Sequence, residues 1–253
     1  MSHQGLMATR DGIFVVGRRL KRKLWVPRVS RSGVRFYVWA TVIFRFAGTV
    51  FEKQGHGKGK ITRNLGFYFG KSGREDNGNT AYDTCTYTRT EIRRLAVKGF
   101  EAAMLRSKKL CCVDKANVLE SSRLWRETVQ SMEKEYPEVE VSYEFVDAVA
   151  MRLVQWPNSY DVLITENLFG DILTDEASVI SGSMGLMPSA SLGDKTSLFE
   201  PIHGSYPEAT GKNIANPLAT VLSAAMMFEM AFGLTLEAEA IRATVHQSLE
   251  EGV

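Results

Sequence analysis

Tyr160-Asp-Val-Leu-Ile-Thr-Glu-Asn-Leu-Phe-Gly-Asp-Ile-Leu-Thr-Asp-Glu-Ala-Ser-Val-Ile180 is the stretch that decides the fold class. Its opening, Tyr160 to Thr165, is a short apolar run bounded by Pro157 and Asn167, which predicts a buried strand. Asp171 to Ile180 then predicts a helix. A strand passing straight into a helix is the repeating unit of α/β proteins, and the alternation extends in both directions. Upstream, Thr88 and Glu91 have capping-box spacing, and Ile92, Leu95, Ala96, Gly99, Phe100 and Ala103 share one helical face behind them. Leu110 to Val113 reads as another buried strand. Leu124, Trp125, Val129 and Met132 mark a second helix that ends before Pro137, and Val139 to Phe145 alternates as a strand. Downstream, Asn216-Pro217 has the cap-then-proline signature of a helix start. That helix runs to Gly233, and a last amphipathic helix covers about 236–249. The predicted fold class is α/β.

The 253 residues are 44% apolar and 24% charged, an ordinary globular composition. No uncharged apolar run approaches the roughly 18 residues of a membrane span; the longest, Val38 to Phe51, is interrupted by Arg45. Cys85, Cys111 and Cys112 are odd in number and include an adjacent pair. That is no disulfide framework, and it suits a reducing cytoplasm. The net charge of +2 hides a division. Residues 1–65 hold fourteen Lys and Arg against Asp11 and Glu52. By subtraction from totals of 31 and 29, residues 66–253 hold seventeen bases and twenty-seven acids. Within 1–62, Arg18, Arg19, Lys21, Arg22 and Lys23 cluster, 34–51 shows no clean period, and Gly55, Gly57 and Gly59 read as a flexible loop. An arm for polyanions, a targeting segment, and a poorly folded or non-native extension all fit this segment; the last is preferred.

Four constellations could carry chemistry. Asp171 and Asp175 are i and i+4, so on a helix their carboxylates share one face. That suits a hard divalent cation, although acids also favour a helix N-terminus for its dipole alone. Lys115, in Val113-Asp114-Lys115-Ala-Asn117, follows a strand; beside a metal and a buried acid it could act as a base, and otherwise it is a solvated lysine. Glu200-Pro-Ile-His203-Gly204-Ser205 runs through Glu208 and Gly211 to Asn216-Pro217, a glycine-bearing loop able to wrap a nucleotide. It lacks the G-x-G-x-x-G pattern, and taken alone it is a surface loop with a cap. Tyr68, between Gly66 and Gly70, is either a packed aromatic or an acid.

Together these stretches resemble the 3-isopropylmalate dehydrogenases of the β-decarboxylating dehydrogenase family. The matching text is Tyr68-Phe-Gly70, Val113 to Arg126, Val146-Asp147-Ala-Val-Ala-Met151, Thr165 to Ser178, Gly185 to Ser191, and the loop from Glu200 to Pro217. The matches keep their order over about 66–253. The resemblance implies a two-lobe α/β fold with the nucleotide lobe incomplete. Residues 1–62 would lie outside the likeness, 63–182 would form the dimerisation and metal/substrate lobe, and 183–253 the C-terminal part of the NAD lobe. It implies NAD- and Mg²⁺- or Mn²⁺-dependent oxidative decarboxylation of 3-isopropylmalate in leucine biosynthesis, in a cytoplasmic homodimer with shared active sites. Asp171 and Asp175 would hold the ion with Asp147 of the partner subunit, which would also meet substrate. Lys115, also of the partner subunit, would be the base and Tyr68 the acid. Glu200, His203, Gly204, Ser205, Tyr206, Glu208, Ala209 and Asn216 would hold NAD, with Glu208 repelling a 2′-phosphate.

The departures from the family also carry expectations. The family's Gly-Asp-Gly-Ile-Gly loop, its substrate-selecting helix and its carboxylate-binding arginines have no counterpart; Arg63 stands two residues out of register from one of them. The chain is therefore expected to be truncated at both ends, with 1–62 a shifted-frame or foreign segment. Neither membrane nor nucleic acid is an expected partner. The alternative is a non-catalytic fragment, or a dimeric binding protein whose basic arm contacts polyanions.

Overall fold

The strand–helix unit read at 160–180 recurs at β9 and β11, which carry apolar side chains to both faces and need helices on each. The computed structural model describes residues 12–15, 28–29, 35–36, 42–45, 51–52, 60–61, 66, 70–193 and 197–252. Six short strands fall within the first 62 residues: β1 (Gly12–Val15), β2 (Arg28–Val29), β3 (Arg35–Phe36), β4 (Val42–Arg45), β5 (Phe51–Glu52) and β6 (Lys60–Ile61). Elements of two to four residues are too short to show a period, which is why 34–51 reads as patternless. Then follow β7 (Ser72–Glu75), β8 (Thr80–Asp83), α1 (Arg89–Met104), β9 (Lys109–Asp114), α2 (Glu120–Met132), β10 (Glu140–Phe145), α3 (Val146–Gln155), β11 (Val162–Thr165) and α4 (Asn167–Ser181). The chain continues with β12 (Pro188–Ser191), β13 (Leu198–Pro201), α5 (Leu218–Phe232) and α6 (Thr235–Glu251). The α/β class expected from the sequence is the one observed.

Among the described residues, seven strands join in one mixed sheet, ordered β10-β9-β11-β1-β4-β12-β13. β9 is parallel to both β10 and β11. β1 runs antiparallel between β11 and β4 and, with β4, links the β9–β11 half to β12 and β13. Alternation of side chains divides the core. Leu110, Cys112, Val162 and Ile164 face a cluster built from α1 and α2, with Phe100, Trp125, Val129 and Met132. Cys111, Val113 and Leu163 face the opposite cluster, with Val149, Leu153 and Leu173 of α3 and α4. A strand buried on both faces reads as a continuous apolar run, and this explains the legibility of 110–113 and 160–165. The adjacent cysteines point to opposite sides, are free, and cannot bond each other in this register; burial pushes the Cys111 thiol up to about 12.

The capping box at α1 forms as its spacing predicts: Thr88 Oγ1 accepts from Glu91 N at 3.3 Å, and Glu91 Oε2 accepts from Thr88 N at 2.8 Å. Several boundaries differ from the sequence reading. α2 begins at Glu120 and α4 at Asn167, each about one turn earlier than its apolar markers. The hairpin β7–β8 and the antiparallel pair β12–β13 lie in stretches where no element was expected. β7 and β8 are solvated on both faces, so they show no alternation.

α1 sits against β11 at Gly99, where a Cβ would lie 2.4 Å from Ile164 Cγ2. Helix propensity alone favours alanine over glycine by about 1 kcal/mol, whereas overpacking a core costs about 1–3 kcal/mol. Gly99→Ala is therefore expected to lower the urea midpoint of unfolding. A raised midpoint would show that α1 does not press on Ile164 in solution.

Candidate active site

Three parallel strands deliver chemistry to one edge of the sheet. Asp114, the last residue of β9, pairs in register with Phe145, the last of β10, and Val113 pairs with Thr165, the last of β11. Lys115, Asp147 and Glu166 therefore leave the sheet side by side at its carboxyl edge, where open α/β sheets gather ligands. Thr165 Oγ1 donates to Val113 O at 2.8 Å and ties two of these strand ends together.

Lys115 pairs with Asp147 through its ammonium group, which also stands 5.8 Å from the centroid of the Phe145 ring. Asp147 lies in the first turn of α3 and is 65% exposed. The hydrogen bond from Lys115 holds the Asp147 carboxyl below its ordinary value. The preceding residue, Asp114, is 1% exposed. It accepts Arg126 Nε at 2.9 Å, Arg126 Nη2 at 3.0 Å and Ala116 N at 2.9 Å.

α4 carries Asp171, half-buried, and Asp175, exposed, one turn apart on one face. Its N-terminus is fixed by a buried carboxyl. Glu166 accepts from Leu168 N and Phe169 N, both at 3.1 Å, and from Tyr87 Oη at 2.9 Å, while Asn167 N donates to that same tyrosine oxygen at 3.1 Å. The N–H groups of Asn167, Leu168 and Phe169, which no intrahelical carbonyl can reach, thus all have acceptors, and Gly170 N opens the helical ladder by bonding Glu166 O. Burial pushes the Glu166 carboxyl above its ordinary value, against the donors that favour its charged form.

The three aspartates expected to bind metal are not assembled by one copy of the chain. Among the described residues no three His, Cys, Asp or Glu side chains gather into a metal-holding group. The donor set itself is of the right chemistry, hard oxygens on two exposed carboxylates and one half-buried one.

The expected nucleotide loop is largely open. Glu200 lies in β13, His203 follows it, and Gly204, Ser205, Tyr206 and Glu208 are exposed while Ala209 is buried. Asn216 Oδ1 accepts from Leu218 N, the first N–H of α5, at 2.9 Å, although the cap position itself is held by Pro217, one residue later than the spacing predicts. His203 Nδ1 lies 2.9 Å from Gly204 O. A carbonyl only accepts, so Nδ1 carries the proton in this contact. Nε2 is buried without a hydrogen-bond partner, and a polar ligand group at that position would satisfy it. Tyr68 and Arg63 lie outside the described residues. Sequence reasoning missed Glu166, Tyr87 and Arg126. Their one local signal is that Glu166 stands between a strand end and Asn167, where a cap belongs.

The fold with this site is that of β-decarboxylating dehydrogenases. A crystal structure of isocitrate dehydrogenase from Methylococcus capsulatus matches with a TM-score of 0.77 at 30% identity, covering 96% of this chain and 66% of that one. A family model described as isocitrate/isopropylmalate dehydrogenase matches residues 61–253, and the chain belongs to that family. The 3-isopropylmalate dehydrogenase of Desulfitobacterium hafniense is 57% identical over 187 residues, 74% of this chain and 53% of that protein. That of Bacteroides fragilis strain YCH46 is 58% identical over 188 residues, 74% of this chain and 52% of its own. The chain thus spans about half the length of these two relatives.

Because its pKa is raised in the folded state, Glu166 binds an extra proton there between pH 4.5, its ordinary value, and the raised one. Its contribution is complete below that window and is lost as pH rises through it. Urea midpoints measured from pH 4.5 to 7 should fall with this component in the parent chain and lose it in Glu166→Gln. An identical slope in both would show that Glu166 ionises as an exposed glutamate does.

Proposed function

We propose that this chain serves the oxidative decarboxylation of 3-isopropylmalate in leucine biosynthesis, with NAD as oxidant and Mg²⁺ or Mn²⁺ as the bound ion, in the cytoplasm. The observation that carries the reading is the delivery of Lys115, Asp147 and the N-terminus of α4 to one sheet edge, in a chain 57–58% identical to proteins bearing that activity. The oxygen donors of Asp147, Asp171 and Asp175 fit a hard divalent ion, and the unsatisfied His203 Nε2 fits a nucleotide with a polar group.

When bound, the ion would acidify the substrate hydroxyl and stabilise negative charge after CO₂ leaves, and NAD would accept the hydride. The remaining work belongs to the chain. Lys115 serves as base for the hydroxyl proton once its ammonium group has left the observed ion pair with Asp147 and lost its own proton to solvent. Asp171 and Asp175 hold their positions because α4 is anchored at Glu166. Tyr68, by resemblance, returns a proton to the product carbon. Glu200, His203, Gly204, Ser205, Tyr206, Glu208, Ala209 and Asn216 line the NAD loop, where the Glu208 carboxylate disfavours a 2′-phosphate. Arg63 is the chain's candidate for a substrate carboxylate.

The reading takes two copies to form one site, since the aspartate trio does not gather within one copy among the described residues. α3 and α4 pack side by side, and Met151 and Val154 on one and Ile172 and Val179 on the other remain exposed. An apolar face of this kind supports a second copy as its cover, with Asp147 of the partner subunit completing the ion site. Val154→Asp with Val179→Asp should halve the mass measured by sedimentation; a monomeric parent chain would remove the shared site.

In a steady-state assay with 3-isopropylmalate, NAD⁺ and Mn²⁺, Lys115→Met should lower kcat by about 10²–10⁴-fold, the usual contribution of a general base. NADH formation that is absent from the parent chain, or equal in the two, overturns the reading.

A further inference from the structure

We infer that Arg126 is a positioning residue for Lys115, acting through Asp114 and the Phe145 ring. The inference takes from the proposed function only that Lys115 is the reacting group, and its test needs no turnover.

The backbone around Lys115 is held from both sides. Asp114 is locked by the Arg126 fork at 2.9 and 3.0 Å and passes that restraint on by accepting Ala116 N at 2.9 Å. Ala116 O accepts Arg123 Nε at 2.9 Å. Lys115 O accepts both Val118 N and Leu119 N at 2.9 Å. The residue after the lysine is thus fixed at its N–H and its C=O by two arginines of α2, one directly and one through a carboxylate. Both contacts tie the segment that follows the lysine to α2.

The side chain is aimed by a second contact of the same arginine. The Arg126 guanidinium stands 5.2 Å from the Phe145 centroid and 5.6 Å from that of Tyr143, and the Lys115 ammonium stands 5.8 Å from the Phe145 centroid. Both cations use one ring, so the arginine that fixes the strand end also fixes the aromatic surface along which the lysine lies. Asp114 balances the guanidinium charge, which would otherwise repel the ammonium across the ring.

A purely structural pair would be expected to look different. Replacing a buried ion pair with apolar groups of similar volume is often neutral or stabilising, so such a pair is weak support for stability. Here the pair occupies the strand end that adjoins Lys115, and its fork geometry needs arginine: a lysine at 126 would supply charge without the two parallel bonds.

The test is a spectroscopic one on the full chain. Lysines are dimethylated with ¹³C-formaldehyde, which preserves their charge, and the Lys115 resonance is assigned by its loss in Lys115→Arg. In the parent chain it should be displaced upfield of the exposed lysines by the Phe145 ring. In Arg126→Lys it should move to the position of the exposed lysines while circular dichroism is unchanged. A parent resonance without displacement, or a displaced one that stays in place in folded Arg126→Lys, overturns the proposal. Should Arg126→Lys fail to fold, Asp114→Leu with Arg126→Leu removes the pair without stranding a charge. Displacement lost in that variant supports positioning, and displacement retained refutes it. If the parent turns over, Arg126→Lys should lower kcat with KM little changed. A parent without turnover that shows the expected shifts removes the proposed reaction and leaves the positioning role standing.

Discussion

Two buried carboxyls at neighbouring strand exits govern the geometry of this protein. Asp114 ends β9 and Glu166 follows β11, and the register that pairs Val113 with Thr165 places them side by side. A carboxylate withdrawn from water is costly unless donors replace the lost hydration. Each finds three. Asp114 takes two from Arg126 and one from Ala116 N, and Glu166 takes two from the opening N–H groups of α4 and one from Tyr87. In both cases one set of donors lies on the segment that leaves the strand and another on a distant element. Satisfying the buried oxygen therefore dictates the direction in which the chain departs. The lysine after one carboxyl and the aspartates after the other inherit those directions.

The division of labour in the sheet follows from this. β9 and β11 are apolar on both faces, with α1 and α2 on one side and α3 and α4 on the other. Their polar residues Asp114 and Thr165 stand at the strand ends, where protein donors and acceptors satisfy them. Function at a strand edge and stability in the strand body are thereby separable. The Gly99–Ile164 contact belongs to the body, and Lys115 belongs to the edge.

That separation also explains what the sequence makes legible. Leu110 to Val113 and Tyr160 to Thr165 are readable because burial on both faces demands an unbroken apolar run. The Thr88–Glu91 cap and the Asn216–Leu218 bond are readable because each is closed by residues within a few positions. α4 starts earlier than expected because its cap is a glutamate held in place by Tyr87, which lies 79 residues away; local pattern carries no trace of such a partner. The β7–β8 hairpin has no alternation because both its faces are solvated, although Asp76, Asn77 and Gly78 all take positive φ, as an Asp-Asn-Gly turn allows. Pro188 and Pro201 at the ends of β12 and β13 make a paired ribbon look like a loop. Among site residues, Lys115, Asp147, Asp171 and Asp175 are named by motif. Arg126 is separated from Asp114 by a loop and the first turns of a helix, and only the fold brings them together.

The contact between Lys115 and Asp147 sharpens the case for a site shared between copies. Exposed ion pairs add little net stability, because water competes for both partners and each side chain loses rotamer freedom. Asp147 is exposed, and the hydrogen bond from Lys115 holds its carboxyl below its ordinary value. On the proposed reading, a divalent ion carried by Asp171 and Asp175 of the partner subunit would compete with the ammonium for that carboxylate. The same carboxylate cannot fully serve both cations, so in such an exchange of contacts the Lys115 amino group would be left to the Phe145 ring and the backbone restraints behind it. The exchange works only if something other than Asp147 keeps Lys115 aimed, which is the task that falls to Arg126.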